Sequence, residues 1–306
     1  MKHGHAVPIA VMAALLCVAP WVVYPVFLMK ALCLALFACA FNLLLGYAGL
    51  LSFGHALFFG GASYAAAHAA KVWEWPTPVA ILFGTAVAIG LGAAVGFLAI
   101  RRQGIYFSMI TLALAQMFYF FCLRIPFTGG EDGIQAVPRG SLFGLDLERP
   151  LVMYYLVLAI FLGGFLLIHR IVRSPFGQVL QAIRENEQRA ISLGYAPDHY
   201  KWIAFVLSCG LAGLAGSTRT IVFQLASLTD VHWGTSGEII LVCLLGGMGT
   251  TFGPIAGAFL LAALENYLAQ LGPWVTVVQG SIFIACVLAF RRGIFGELSR
   301  LLKRPL

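Results

Sequence analysis

Apolar residues in this chain run in long unbroken blocks separated by short polar punctuation, rather than recurring on one face of a helix or alternating along a strand. A block of about 20 apolar residues crosses the roughly 30 Å of bilayer hydrocarbon as a helix. Ten blocks of that kind are predicted: 6–29, 31–48, 54–70, 77–100, 104–123, 150–169, 202–225, 236–249, 254–271 and 274–290. The third and eighth are the weakest, and each either crosses fully or is re-entrant. The expected fold is therefore an all-α polytopic membrane protein of about ten transmembrane helices, some of them broken, forming a single domain over residues 1–306. If the blocks divide five and five, the two halves are inverted, a common transporter arrangement, although no sequence repeat is visible.

Composition sharpens this reading. The chain is 61% hydrophobic and 10% charged, with a mean hydropathy of +0.92, and a soluble globule needs more charge than that. The first block lacks a small-residue cleavage site after its apolar core, so it reads as retained rather than as a removed leader. A net charge of +7 does not point to nucleic acid, because Lys and Arg concentrate in short loops beside apolar blocks, as membrane topology requires. Arg101, Arg102, the 170–201 loop and the 291–306 tail are expected on the cytoplasmic side, with both termini. The same parity places the 124–149 loop outside, where its four acids against three arginines suit a translocated segment. The seven cysteines (Cys17, Cys33, Cys39, Cys122, Cys209, Cys243, Cys286) lie in apolar blocks without a C-x-x-C pair and read as buried small hydrophobes. No metal, disulfide or cofactor chemistry is expected.

Two apolar blocks carry too much glycine for ordinary spans. "LLGYAGLLSFGHALFFGGASY" (44–64) and "CLLGGMGTTFGPIAGAF" (243–259) read as broken helices at matching places in the two halves. Unwound backbone is tolerated at membrane depth only where protein buries it or a wet cavity lines it. Asn42, Ser52, Gly54, His55, Gly246, Gly247 and Gly249 are accordingly the candidates for a translocation pathway. The alternative for any single glycine is a small-residue packing seam, and for Asn42 and His55 a structural hydrogen bond is favoured over substrate contact. Ionisable residues in spans mark function by default, since burying one in hydrocarbon costs on the order of 3 kcal/mol or more. Glu265 is one such group, six residues from the end of its block. It is the best candidate for the titrating carboxylate that an ion-coupled secondary transporter would need. Arg219, Asp230 and Glu238 fall near predicted ends.

Two catalytic readings fail. "GTSGE" (234–238) matches the G-x-S-G core of rhomboid-type intramembrane proteases, but those need a histidine on a later helix as base. Every histidine (His3, His5, His55, His68, His169, His199, His232) precedes Ser236, which reads instead as a helix N-cap. No G-x-x-x-x-G-K-[ST] occurs, so there is no P-loop for a nucleotide. Any ATP-driven motor must be another chain.

The segment "RSPFGQVLQAIRENEQRAISLGYAPDHYKW" (173–202) is unusual for so apolar a chain. Ser174 and Pro175 open a helix, Phe176, Val179, Leu180, Ile183, Ala190 and Ile191 recur at helical spacing, Gly194 stops it and Pro197 follows. A loop joining two spans needs only two to eight residues. Docking into a partner's groove suits this helix better than lying on the bilayer, because Glu185 and Glu187 dilute its basic face.

With "NLLLGYAGLLSFGHALFFGGASY", "GIYFSMITLALAQMFYFF", "TGGEDGI", "SPFGQVLQAIRENEQRAISLGY" and "LLGGMGTTFGPIAGAF" in that order, the chain resembles the permeases of the branched-chain amino-acid ATP-binding-cassette importers, the LivM type. The resemblance covers nearly the whole chain. It implies a permease subunit without catalytic activity of its own, in the bacterial inner membrane. The implied partners are a second, related permease chain, two cytoplasmic ATP-binding subunits and an extracytoplasmic amino-acid-binding protein. It also implies that the 170–201 loop couples to the ATPase, with Arg184, Glu185, Asn186, Glu187, Arg189, Ala190 and Gly194 as its contact residues. The E-A-A-x-x-x-G pattern of importer permeases is met only in part: counting back from Gly194 puts Gln188, Arg189 and Ala190 at its first three positions, with Glu187 one residue early. The implied substrate is leucine, isoleucine or valine, while permeases of this type for urea, amides or other amino acids remain alternatives.

Overall fold

The computed structural model describes residues 6–268, except 103, 143 and 144, together with 274–289 and 293. All but one of the residues expected to form the 291–306 tail lie outside that set. In chain order the helices are α1 (Ala6–Val18), α2 (Pro25–Asn42), α3 (His55–Lys71), α4 (Thr77–Ala99), α5 (Ile105–Arg124), α6 (Pro150–Arg173), α7 (Pro175–Glu185), α8 (Glu187–Ser192), α9 (Pro197–Phe223), α10 (Leu228–Val231), α11 (Trp233–Gly246), α12 (Gly253–Leu268) and α13 (Val275–Ala289). A π-helical turn, Leu43–Ala48, extends α2. Among the described residues, five helices are long and apolar enough to cross a membrane: Pro25–Ala48, Thr77–Ala99, Ile105–Arg124, Pro150–Arg173 and Pro197–Phe223. With the shorter α1, α3, α11, α12 and α13, the ten predicted blocks are all present as helices.

Proline moves two boundaries. The first block, 6–29, ends early: a 3-10 turn at Ala19–Trp21 follows α1, and Pro25 starts α2, where its missing N–H costs nothing. Lys30 therefore lies in the second turn of α2, not between two spans. Likewise Pro197 opens α9 five residues before the predicted start at 202, which draws Lys201 inside the helix, where it is buried.

The packing explains why these helices carry so many small residues. α9 lies against α2, α3 and α4, while α2 lies against α6, α9, α11 and α12. At the α3/α4/α9 seam a side chain on Gly216 would meet the Phe59 carbonyl, one on Gly213 the Ala88 methyl, and one on Gly92 the Cys209 side chain. Without a hydrophobic drive between helices in lipid, such close approach supplies the dispersion contact that holds them together. Gly60, Gly61 and Gly257 belong to the same class. They sit in unbroken helices against Val231, Phe118 and the Val242 carbonyl, so within the two glycine-rich blocks only some glycines mark breaks. Cys17 is exposed, against the expectation that every cysteine is buried.

The halves interchange. Exchanging α2 with α9, α3 with α11, α4 with α12 and α5 with α13 maps the contacts α4/α9, α3/α9, α3/α4 and α3/α5 onto α12/α2, α11/α2, α11/α12 and α11/α13. Moreover α3 and α11 run apart from facing N-termini, since the Ala56 N–H donates to Ser236 Oγ at 2.8 Å. The C-terminal part of α3 meets the 124–149 segment, where His68 stacks on Phe127. That of α11 ends at Gly246 beside α7. The inverted arrangement is thus visible in packing although absent from the sequence. The 124–149 segment contains two 3-10 turns, and Ile134–Gln135 pairs antiparallel with Leu225–Ala226, tying it to the chain just beyond α9.

Gly216→Val tests the seam: forcing a side chain against backbone costs about 1–3 kcal/mol. It should lower the thermal midpoint of the detergent-solubilised protein, whereas Gly163→Ala, which meets no atom within 4 Å, should leave it unchanged.

Candidate functional site: the broken helices and the α7 arginine

An α-helix leaves four N–H groups free at its start; α3 starts inside the bundle, and the exposed start of α11 leads within one turn to the buried Ser236 beside it. His55 and Ser236 are each fully buried. Ser236 had the sequence context of a cap for its own helix. Instead His232 caps α11 through Nδ1, which accepts from Gly234 N at 3.1 Å, and Ser236 satisfies α3. The irregular segment leading into α3 is held in the same way. Ser52 Oγ accepts from Gly54 N at 3.2 Å, Thr111 Oγ1 accepts from Phe53 N at 3.2 Å, and Ser108 Oγ donates to the Leu51 carbonyl at 2.7 Å. A side chain at Gly54 would strike the Thr111 backbone. His55 Nε2 lies 2.9 Å from Ser208 Oγ, which in turn donates to the Ala40 carbonyl at 2.6 Å. The ring is enclosed by edge contacts with Phe41, Phe58 and Phe205. Ser52, Gly54 and His55 thus form one node where α2, α3, α5, α9 and α11 meet.

Asn42, Gly246, Gly247 and Gly249 form a second node, at the far end of α11. Asn42 Oδ1 accepts from Gly249 N and its Nδ2 donates to the Thr250 carbonyl, both at 3.0 Å. Thr250 Oγ1 then caps α12 by accepting from Gly253 N at 3.1 Å. Gly247 and Gly249 have φ of 115° and 75°, a backbone that side-chain-bearing residues rarely adopt. Gly46 in the π turn lies directly against the Gly249 backbone. The two glycine-rich breaks, 203 residues apart in sequence (46 to 249), touch.

Arg184 reaches into this node from α7. Its Nη1 donates to the Gly46 carbonyl, and its side chain lies over Gly49. A cleft of about 420 Å³ opens there, lined by Gly46, Tyr47, Gln181, Arg184, Glu185 and Gly249.

The charged segment departs from the expected single helix. Asn186 adopts an extended backbone and splits it into α7 and α8, its Oδ1 accepting from Arg189 N at 3.0 Å as the cap of α8. The short polar side chain offers the backbone an alternative bond, which is why Asn favours caps over helix interiors. Ser174 caps α7 and Pro175 is its first residue, as read from the sequence. Gly194 ends α8 at φ 88°, with Tyr195 N donating to Ala190 O and Gly194 N to Ile191 O, a Schellman motif. Glu187 pairs with Lys201 Nζ at 2.8 Å, and Ala190 is buried, so both hold α8 onto α9. Glu185, Arg189 and Gly194 face outward. The seven residues therefore divide: Arg184, though exposed, reaches the Gly46 carbonyl, Asn186, Glu187 and Ala190 fix the bend, and the other three lie on the outer surface.

Several functional contacts escape sequence reading. Lys30 Nζ pairs with Glu265 Oε2 at 2.7 Å, and Arg219 with Asp230. The Glu265 carboxylate is thus held by a cation rather than standing alone. Ser208 gives its only hint by lying at the head of "SCGLAGLAGS", a run whose small residues announce close packing.

Among the described residues, ten apolar helices in an inverted arrangement, two of them short with apposed N-termini, define a polytopic membrane permease. The chain belongs to the family described as branched-chain amino acid transport system / permease component, whose model matches residues 25–287. It is 26% identical over 281 residues to the high-affinity branched-chain amino acid transport system permease protein LivM of Escherichia coli, covering 83% of this chain and 65% of that protein. It is also 30% identical over 202 residues to the autoinducer 2 import system permease protein LsrC of Salmonella typhi, covering 60% of this chain and 54% of that one. With the ribose import permease protein RbsC of Bacillus subtilis it shares 28% identity over 199 residues, 58% of each chain. The chain thus spans about two thirds of the length of the LivM protein it matches. No solved structure matches.

Ser236→Ala removes the acceptor for a buried N–H on another helix, a loss of about 1–3 kcal/mol. The solubilised protein should melt earlier, and Ser236→Thr, which keeps the hydroxyl, should recover most of the difference.

Proposed function

We propose that this chain is a transmembrane permease subunit of an ATP-binding-cassette importer in the bacterial inner membrane, moving leucine, isoleucine or valine. The observation that carries this is Arg184: one side chain of the polar α7/α8 segment clasps the point where both broken regions meet. A force applied to α7 from outside the bundle reaches the ends of α2 and α11 directly. In this reading the 170–201 loop and the 291–306 tail face the cytoplasm, and the 124–149 loop faces outward. The exposed Glu185, Arg189, Leu193 and Tyr195 meet an ATP-binding subunit. A second permease chain, a second ATP-binding subunit and an extracytoplasmic amino-acid-binding protein complete the assembly.

The substrate assignment leans on the likeness to LivM, which extends over far more of this chain than the likeness to the autoinducer 2 and ribose permeases. An ion-coupled secondary transporter is disfavoured because Glu265 is already paired with Lys30. Permeases of the same type for urea, amides or other amino acids are separated by competition for uptake.

Arg184→Ala should leave the protein in the membrane with its ATP-binding partner bound, yet lower ATP-driven leucine uptake on the order of tenfold, the equivalent of about 1.4 kcal/mol. Adding Glu187→Ala should lower it further by freeing α8. Arg189→Ala should instead weaken co-purification of the ATP-binding subunit. Normal uptake by the Arg184/Glu187 double variant, or uptake by the purified chain alone in liposomes, overturns the assignment.

A further inference from the structure

One flank of the molecule carries charge where its helices are apolar. Lys30 on α2 pairs with Glu265 on α12, their side chains 36% and 26% exposed. Arg219 near the end of α9 pairs with Asp230, and its guanidinium also stands 5.7 Å and 5.6 Å from the Phe59 and Phe223 rings. Arg219 remains 35% exposed while Asp230 is buried at 5%. Glu238 stands on α11, which packs against α2 and α12, the helices of the first pair. Its side chain is exposed, and no hydrogen bond or ion pair reaches its carboxylate among the described residues. It lies within electrostatic range of Glu265, Arg219 and Lys30.

Depth makes this arrangement informative. At 1.5 Å per residue, Glu238 stands about 12 Å along α11 from Gly246 at the Arg184 end, and Glu265 about 18 Å along α12 from Gly253. Lys30 is roughly 20 Å or more along α2 from Gly46 by the same measure. In a hydrocarbon layer about 30 Å thick, Glu238 falls near the middle, with the paired charges between it and the 124–149 side. An unpaired carboxylate facing lipid tails at that depth is strongly disfavoured, and intramembrane charges face protein or water. The two pairs cancel, so Glu238 leaves the ladder with one surplus negative charge. Beside it α11 presents Gly234 and Gly237, with open space at Gly237, and then Leu241 one turn further.

We propose that this flank is the wall of the translocation conduit, and that Glu238 receives the ammonium group of a zwitterionic amino acid while Lys30 and Arg219 present positive charge to its carboxylate. Leu241 lies where the aliphatic side chain of such a ligand would follow. The proposal rests on the amino-acid importer reading and goes further by naming the groups that recognise the amino-acid backbone. It predicts selectivity for the α-amino group: the corresponding 2-oxo acid, which keeps the carboxylate and side chain, should compete poorly.

The test uses the complete transporter in proteoliposomes with ATP and leucine. Glu238→Gln should raise the KM for leucine on the order of ten- to a hundredfold, the range of a lost charged hydrogen bond, with the second permease chain still co-purifying. Glu238→Asp should recover most of the affinity. Glu238→Cys should react with a charged, membrane-impermeant thiosulfonate, more slowly when leucine is present, against the unsubstituted chain as background for Cys17. An unchanged KM overturns the proposal. So does loss of the second permease chain together with uptake, which makes Glu238 an interface ion-pair partner, and so does failure of Glu238→Cys to react. If the wild-type transporter takes up no amino acid, the importer reading fails by itself and the ligand assignment falls with it. Labelling of Glu238→Cys still decides separately whether the flank is wet.

Discussion

The structure depends on satisfying helix N–H groups that begin where there is no water. A helix starting at a bilayer surface can leave its first four donors to solvent, but α3 starts within the bundle, where an orphaned donor costs several kcal/mol. The bonds that meet this need come from distant segments: Ser236 serves α3, while Thr111 and Ser108 hold the loop before it. In the other direction Asn42 bonds the Gly249 and Thr250 backbone, so each half of the molecule completes the other. That mutual dependence explains how breaks that would be ruinous in a lone helix persist here.

Small residues are the second half of the same constraint. Gly54 and Gly46 permit backbone-to-backbone approach at the breaks, and along the α3/α4/α9 seam Gly216 does the same, while Gly92 and Gly213 make room for the Cys209 and Ala88 side chains. In hydrocarbon the gain comes from contact itself, and contact needs the absence of side chains. The glycine-rich blocks therefore mix two functions in one composition. Gly60 and Gly61 lie in a continuous helix, Gly247 and Gly249 in a turn with left-handed backbone, and nothing in the local sequence separates them.

What could be read beforehand follows from the range of the interactions. Block length set the ten helices, and local chemistry set the α7 start at Ser174 and Pro175 and the stop at Gly194, because caps act within a few residues. Pro25 and Pro197 carried equally local signals that the count of apolar residues overrode, which misplaced Lys30 and Lys201. The partners of Asn42, Arg184, His55 and Ser236 lie 138 to 208 positions away, and no periodicity encodes them. Ser236 is the instructive case: its local context, a serine ahead of an apolar run, was that of a cap, and a cap it is, for another helix.

The two nodes are joined by a single rod. α11 has Ser236 at its inner end, bonded to α3, and Gly247–Gly249 at its outer end, bonded to Asn42 and overlain by Arg184. Fourteen residues of helix make it about 21 Å long, and it ends in the positive-φ turn at Gly247 and Gly249. A displacement of α7 relative to α2 must therefore either break the Arg184–Gly46 bond or carry the π-helical turn with it, which loads the Asn42 bonds to Gly249 and Thr250. On the importer reading, ATP binding can favour one arrangement only through contacts that differ between the two, and we assign that role to the Arg184 to Gly46 bond, since it joins a surface helix to a buried turn. Glu238 rides on the same rod, between the glycine turn and the node. Whatever moves the glycine turn moves that carboxylate relative to Lys30 and Glu265, whose helices, α2 and α12, meet α11 along its length.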